Sequence, residues 1–152
     1  MTTYWTDIYL MHDVDDLVIA NAVAGALGVH PSVVAIVHRG SDAALDAGRV
    51  ADVVVQRQDL RAYGEGGSWP IELAITTASE RPTAGLAGLR AVAAGIGIPL
   101  IANIAGDGQD MFRIVFPDGY APARLLGDDE NPDLTADDRR RLARYEHPAQ
   151  AA

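Results

Sequence analysis

Residues 6–38 read TDIYLMHDVDDLVIANAVAGALGVHPSVVAIVH, and this stretch decides the fold. Its first seven residues alternate in character with a period of two, which predicts a β-strand over residues 6–12. The two faces of that strand carry Ile8, Leu10 and His12 on one side, and Asp7, Tyr9 and Met11 on the other.

The pattern then becomes helical over residues 14–27, with Asp13 as the expected N-cap and Gly28 as the residue that ends the helix. From Leu17 onward, every position except Asn21 is apolar or glycine. A helix without a polar face is covered on most sides, so we expect Leu17 to be buried with the rest.

A second apolar run follows Pro31 and extends over residues 32–38. Five of its residues in succession are apolar, which predicts a strand that is buried on both faces. Strand, apolar helix and strand in this order predict a crossover unit with parallel pairing.

Further strands and a second helix follow this unit. Residues 50–57 predict a strand, and Pro70 begins a clean alternation that is typical of an antiparallel strand with one exposed face. The inward positions of that strand are Ile71, Leu73 and Ile75. A helix is predicted over residues 82–94, ended by Gly95 and Gly97.

Three more strands, predicted over residues 98–105, 111–116 and 120–126, form an antiparallel meander because tight-turn signals separate them. The predicted fold class is therefore α+β, with a mixed sheet of about six to seven strands and two main helices on one face. The order of elements resembles a ferredoxin-like βαβ-β-αβ core with an added C-terminal antiparallel hairpin and a short terminal helix. That helix begins at Thr135.

The domain organisation follows the change in composition after Gly127. Residues 1–127 are expected to form a single α+β domain. Residues 128–152 are expected to form an acidic linker and the C-terminal helix, packed on that domain or trailing from it.

Composition excludes several functions. The chain has 152 residues and a net charge of −9, its 12 basic residues are all arginine, and it has no cysteine. Thiolate zinc sites, cysteine nucleophiles and lysine chemistry are therefore absent. The charge argues against a nucleic acid partner. The most apolar run, residues 17–27, is too short for a membrane span of about 20 residues, and a cytoplasmic location is expected.

The sharpest local cluster of polar residues is His12, Asp13, Asp15 and Asp16, at the carboxyl end of the first strand. Carboxylates two residues apart suit a hard divalent cation, and strand ends in this position often form sites. The other interpretation is an N-cap with two acidic residues that stabilise the start of a helix. No catalytic residue is assigned, and no cofactor is expected.

Two segments are candidates for binding a partner. The loop over residues 58–69 places Tyr63, Glu65 and Trp69 among glycines, and tyrosine and tryptophan are enriched at interface hot spots. Trp69 has a second interpretation, in which it covers one end of the core. The stretch over residues 128–138 holds six of the 21 acidic residues. Its proposed contacts are Asp128, Asp129, Glu130 and Asp133.

A small, acidic chain without a catalytic motif is similar in profile to bacterial immunity proteins and antitoxins. That resemblance implies a protein–protein function in which the chain neutralises a basic toxin domain, because acidic surfaces attract basic targets. The alternative is a small metal-dependent enzyme or ligand-binding domain that uses the cluster from His12 to Asp16. A membrane partner is not expected, and the oligomeric state stays open.

Overall fold

The computed structural model describes residues 3–38, 51–65, 67, 69–80, 82, 84–103, 112–118 and 135–146. The strands are β1 (Thr3–Leu10), β2 (Val34–His38), β3 (Val53–Asp59), β4 (Ile71–Thr77), β5 (Leu100–Asn103) and β6 (Phe112–Val115). The helices are α1 (Asp16–Leu27), α2 (Leu86–Ile96) and α3 (Ala136–Ala143), and short 3-10 turns cover Pro31–Val33 and Leu60–Tyr63.

The predicted α+β class is confirmed, because the six described strands form one mixed sheet in the order β2-β3-β4-β1-β5-β6. Neighbouring strands of this sheet pair antiparallel, except for β2 and β3, which pair parallel. The elements β1-α1-β3-β4-α2-β5 give the βαββαβ order of a ferredoxin-like core. Strand β2 is added beyond β3, and β6 is added beyond β5.

The position of β2 differs from the prediction. It runs in the same direction as β1, but β3 and β4 lie between the two strands. Residues Val34, Ala35 and Ile36 are only partly buried, so the prediction of a strand buried on both faces is wrong. Its place at the end of the described sheet explains this, because β2 has a strand neighbour on one side only.

Both main helices pack on one face of the sheet, which we call the first face. Its core is mostly aliphatic and includes Ile8 and Leu10 of β1, Val23 of α1 and Leu89 of α2. The alternation predicted for β4 is confirmed, since buried and partly buried residues alternate along the whole strand.

The two helices cross at Ala22 and Gly95. A Cβ atom placed on Gly95 would lie 2.7 Å from Cβ and 2.9 Å from Cα of Ala22, so only glycine fits at this crossing. Gly95 therefore lies inside α2, and the prediction that it ends the helix is wrong. The helix ends at Gly97, whose φ of 86° is the left-handed conformation that glycine adopts at low cost.

Helix α1 begins at Asp16, with Asp15 as its N-cap residue, so the predicted N-cap at Asp13 is wrong. Its predicted end at Gly28 is confirmed. Leu17 is 71% exposed, which contradicts the expectation that the whole helix is covered. Leu17, Asn21 and Gly25, spaced by four, are all exposed and form one stripe along α1.

The opposite side of the sheet, the second face, carries a smaller core. Trp69, Ile101, Ile114, Phe116 and Leu142 are buried there, with Tyr9, Met11, Phe112 and Tyr145 packed against them. Leu142 belongs to α3, so this helix packs on the second face. Its predicted start is confirmed, since the Thr135 hydroxyl accepts a hydrogen bond from the backbone N–H of Asp138.

Several predictions lie outside the described residues. They concern the strand over residues 120–126 and the acidic residues from Asp128 to Asp133. The boundary proposed after residue 127 lies there as well. None of the described helices is both long enough and apolar enough to cross a membrane.

Candidate functional site

Three strands end at the same edge of the sheet. Strand β1 is antiparallel to β4, β4 is antiparallel to β3, and β3 is parallel to β2, so β1, β2 and β3 run in one direction. Their last residues, Leu10, His38 and Asp59, therefore lie at one edge. We call this the carboxyl edge and include the loop before α1 and residues 60–65 after β3.

Arg57 occupies the centre of the carboxyl edge. Alternation along β3 places it on the same side of the strand as Val53 and Val55, which lie in the first-face core under the helices. Its side chain is 13% exposed, and its guanidinium donates to the carbonyl oxygen of Val14, to Asp16 Oδ1 at 2.9 Å and to Asp13 Oδ1 at 3.0 Å.

A second arginine, Arg61, lies beside it in the 3-10 turn. Its guanidinium binds Asp59 with both Nε and Nη2, the shortest contact being 2.7 Å. The same Nη2 donates to Asp13 Oδ2 at 3.1 Å. Asp13 is thus shared by two arginines that are 44 and 48 residues away from it in the sequence.

His38 completes the network at the end of β2. Its Nε2 lies 3.1 Å from Asp16 Oδ2, the oxygen that Arg57 does not use. Burial raises the pKa of Asp16, but the hydrogen bonds from His38 and Arg57 together outweigh it, and the pKa lies below its ordinary value. The hydrogen bond from Arg61 likewise lowers the pKa of Asp59.

We call this set the arginine–aspartate network; its members are Asp13, Asp16, His38, Arg57, Asp59 and Arg61. With neighbouring Asp15 and Glu65, the described part of the carboxyl edge holds five carboxylates and two guanidinium groups, an excess of three negative charges. Two exposed apolar side chains accompany these charges, Leu17 at 71% and Tyr63 at 66%. Negative charge beside an exposed aromatic ring is suited to binding, since charge guides a partner and the ring offers it contact area.

Three of the four predicted metal candidates, His12, Asp13 and Asp16, make other contacts. Asp13 and Asp16 bind the two arginines and His38, while His12 donates through Nε2 to the carbonyl oxygen of Tyr145. Asp15 makes no side-chain capping bond. Within the described parts of the chain, no three histidine, aspartate or glutamate side chains form a group that could hold a metal ion.

The loop candidates divide into two groups. Tyr63 and Glu65 are exposed at the carboxyl edge. Trp69 is 3% exposed and lies in the second-face core, which is the position that the second interpretation gave it. Its buried Nε1–H has no acceptor among the described residues. The role of Trp69 as a partner contact stays a prediction, as does that of the acidic residues from Asp128 to Asp133.

Sequence reasoning did not assign a role to Arg57 or to His38. A signal for Arg57 exists in the alternation of β3, which places a charged residue in line with two buried valines at the end of a strand. No such signal exists for His38, because its partner Asp16 belongs to a helix whose position depends on the whole fold.

Comparison of the chain with protein-family models, with curated proteins and with solved structures found no match in any of the three.

Proposed function

We propose that this chain is a binding protein that neutralises a basic protein domain by covering it, as immunity proteins and antitoxins do. The observation that carries the proposal is the carboxyl edge, where an excess of negative charge surrounds the exposed ring of Tyr63. The partner would be a basic toxin domain, and the encounter would take place in a bacterial cytoplasm.

Charge and ring would contribute to different steps of binding. Carboxylates at the rim accelerate encounter with a basic partner and make the association rate depend on salt. An aromatic side chain that becomes buried in the complex slows dissociation instead. Asp15 and Glu65 are exposed and suit the first role, while Tyr63 suits the second. The segment with Asp128, Asp129, Glu130 and Asp133 is part of the proposal as a further source of negative charge.

The geometry favours binding over the metal-dependent alternative. A divalent cation at Asp13 would compete with two guanidinium groups for the carboxylate oxygens, and one at Asp16 would compete with Arg57 and His38. A thermal-shift screen with Mg²⁺, Mn²⁺ and Zn²⁺ separates the two functions. A specific site at a hundred times its Kd stabilises a protein by about 2.7 kcal/mol, and we expect no such increase.

The main experiment is affinity purification from the native cell, followed by mass spectrometry and by kinetics with the purified partner. We expect a basic chain, encoded by a neighbouring gene, whose toxic activity an equimolar amount of this protein abolishes. An acidic or neutral partner, or a partner whose activity is unchanged in the complex, contradicts the proposal.

Matched variants then locate the surface. D15N/E65Q removes two charges from the carboxyl edge and should lower the association rate several-fold at low salt. D52N/E80Q removes two exposed charges at the opposite edge of the sheet and should leave that rate nearly unchanged. Tyr63→Ala should raise the dissociation rate about thirtyfold, the equivalent of a hot-spot loss of about 2 kcal/mol. Equal effects of the two double variants would show that the carboxyl edge is not the surface.

A further inference from the structure

Asp13 connects two parts of the chain that are distant in the sequence, the loop before α1 and the end of β3 with the turn that follows it. It belongs to the loop before α1, and its two carboxylate oxygens meet Arg57 Nη2 at 3.0 Å and Arg61 Nη2 at 3.1 Å. We call these two contacts the Asp13 bridge. The side chain of Asp13 is 60% exposed, so an isolated ion pair in this position would contribute little to stability.

The bridge differs from an isolated pair because both guanidinium groups are already held by other contacts. Arg57 is mostly buried and donates to the Val14 carbonyl and to Asp16. Arg61 is held by the two oxygens of Asp59. Little side-chain entropy remains to be lost when Asp13 joins two ordered guanidinium groups, so the contact is stronger than exposure alone suggests.

The segment that Asp13 contacts is a compact turn. The N–H of Leu60 donates to the carbonyl of Pro70 at 2.8 Å, and the N–H of Glu65 donates to the carbonyl of Leu60 at 3.0 Å. Gly64, with a φ of 72°, closes the turn. These hydrogen bonds hold the turn together internally and tie its first residue to Pro70. Among the described contacts, the pair of Arg61 and Asp13 joins the turn to the loop before α1.

We propose that Asp13 is a positioning residue: through the Asp13 bridge it fixes the turn over residues 60–65 against the start of α1 and so sets the orientation of Tyr63. The bridge is exposed to solvent and ionic, so salt weakens it. The inference goes beyond the proposed function, because the turn is fixed in the free protein whether or not a partner exists.

The test is ¹⁵N relaxation of the backbone amides of residues 61–65 in the free protein. We expect order parameters near 0.85 in the wild type and a fall towards 0.6 in D13A, with a smaller fall in D13N, which keeps one acceptor oxygen. Asp15→Asn is the matched control, because it removes the same charge from the same loop and Asp15 is not a partner in the described ion pairs of Arg57 and Arg61. The turn of this variant should remain ordered.

Salt provides a second arm that needs no variant. Raising NaCl from 0.1 M to 1 M shortens the screening length from about 10 Å to about 3 Å. The order of the turn in the wild type should then fall towards that of D13A, and D13A itself should not change. An unchanged turn in D13A at low salt overturns the inference, as does an equal loss of order in D15N.

Discussion

The cores on the two faces of the sheet contain different types of side chain. The first face is covered by the 12 residues of α1 and the 11 of α2, and its core is almost entirely aliphatic. The second face is contacted by α3, which has eight residues, and its core is rich in aromatic rings. The Tyr9 and Phe112 rings meet edge to face at 6.3 Å, and the Arg141 guanidinium lies 4.1 Å above the Phe116 ring.

This difference in composition indicates that the two faces contribute unequally to stability. Aliphatic side chains offer no alternative polar contacts, so their close packing gives stability and a single arrangement of the helices. The second face combines rings with polar atoms, such as the buried Nε1–H of Trp69. We therefore expect the first face to dominate the free energy of unfolding.

The largest effect should come from a charge placed in the first face. Val23 is 0% exposed in α1, so Val23→Asp buries a carboxylate without a partner and should prevent folding, given that total stability is about 5–15 kcal/mol. Leu17→Asp, on the same helix but 71% exposed, should fold normally. Far-UV circular dichroism and solubility distinguish them, and a folded V23D would refute the assignment of the first face as the main core.

A truncation on each face measures the difference directly. Leu89→Ala in α2 should cost about 3–5 kcal/mol, because its site is fully enclosed. Leu142→Ala in α3 should cost about 2 kcal/mol, since a short helix can relax around the lost volume. Urea unfolding followed by fluorescence gives both free energies. Equal values would mean that the two faces contribute alike.

A glycine pair tests the close approach of the two first-face helices. Gly95→Ala should lower the free energy of unfolding by about 1 kcal/mol, because the new methyl group would collide with the backbone of Ala22. Gly25→Ala is also within a helix, but no described atom lies within 4 Å of its new methyl carbon, so it should raise the free energy of unfolding by about 0.5–1 kcal/mol. Thermal melting of both variants measures these changes. A stabilised G95A would show that the helix crossing has space for a methyl group.

The smallest effect concerns two aspartates with opposite pH dependence. Burial raises the pKa of Asp7, on the second-face side of β1, so its charge destabilises the fold at neutral pH, and the penalty disappears as pH falls below the unfolded value of about 3.9. In contrast, the pKa of Asp16 is lowered, burial being outweighed by His38 and Arg57. Its contribution is present above the unfolded value and is lost as pH falls through the folded pKa.

Asp7→Asn should therefore raise the melting temperature slightly at pH 7, and Asp16→Asn should lower it slightly. Both differences should shrink towards pH 3. Melting curves from pH 3 to pH 7 in low salt provide the check. If D7N melts at a lower temperature than the wild type at pH 7, the environment assigned to Asp7 is wrong.

Local patterns predicted the elements well where one physical cause dominates. Alternation gave β4 with its buried Ile71, Leu73 and Ile75, and the left-handed glycines Gly28 and Gly97 ended their helices as expected. Thr135 began α3 because a hydroxyl at that position satisfies a free backbone N–H. These features depend on neighbours in the sequence, so they could be predicted from the sequence alone.

Features set by the assembled fold were not predictable in the same way. Leu17 looked like the rest of its apolar helix, yet it faces away from the sheet. Gly95 was predicted to end its helix because glycine often does so. The actual reason for a glycine here is the close approach of Ala22, which lies in another helix and cannot be identified from the local sequence. The candidate site was predicted in part. Asp13, Asp16 and Tyr63 were named, but the contacts of the two aspartates with Arg57 and Arg61 depend on the sheet order.

The central place of β1 has a consequence for how the chain folds. Leu10 pairs with Ile71 on one side and with Leu100 on the other, partners that follow it by 61 and 90 residues. Closing such long loops is slow, because the entropy of the intervening chain is lost before the contacts form. During synthesis β1 leaves the ribosome before β4 and β5, so both of its edges stay unpaired until those strands have been made. The segment from Trp5 to Leu10 therefore needs protection from incorrect strand pairing until β4 and β5 have been made.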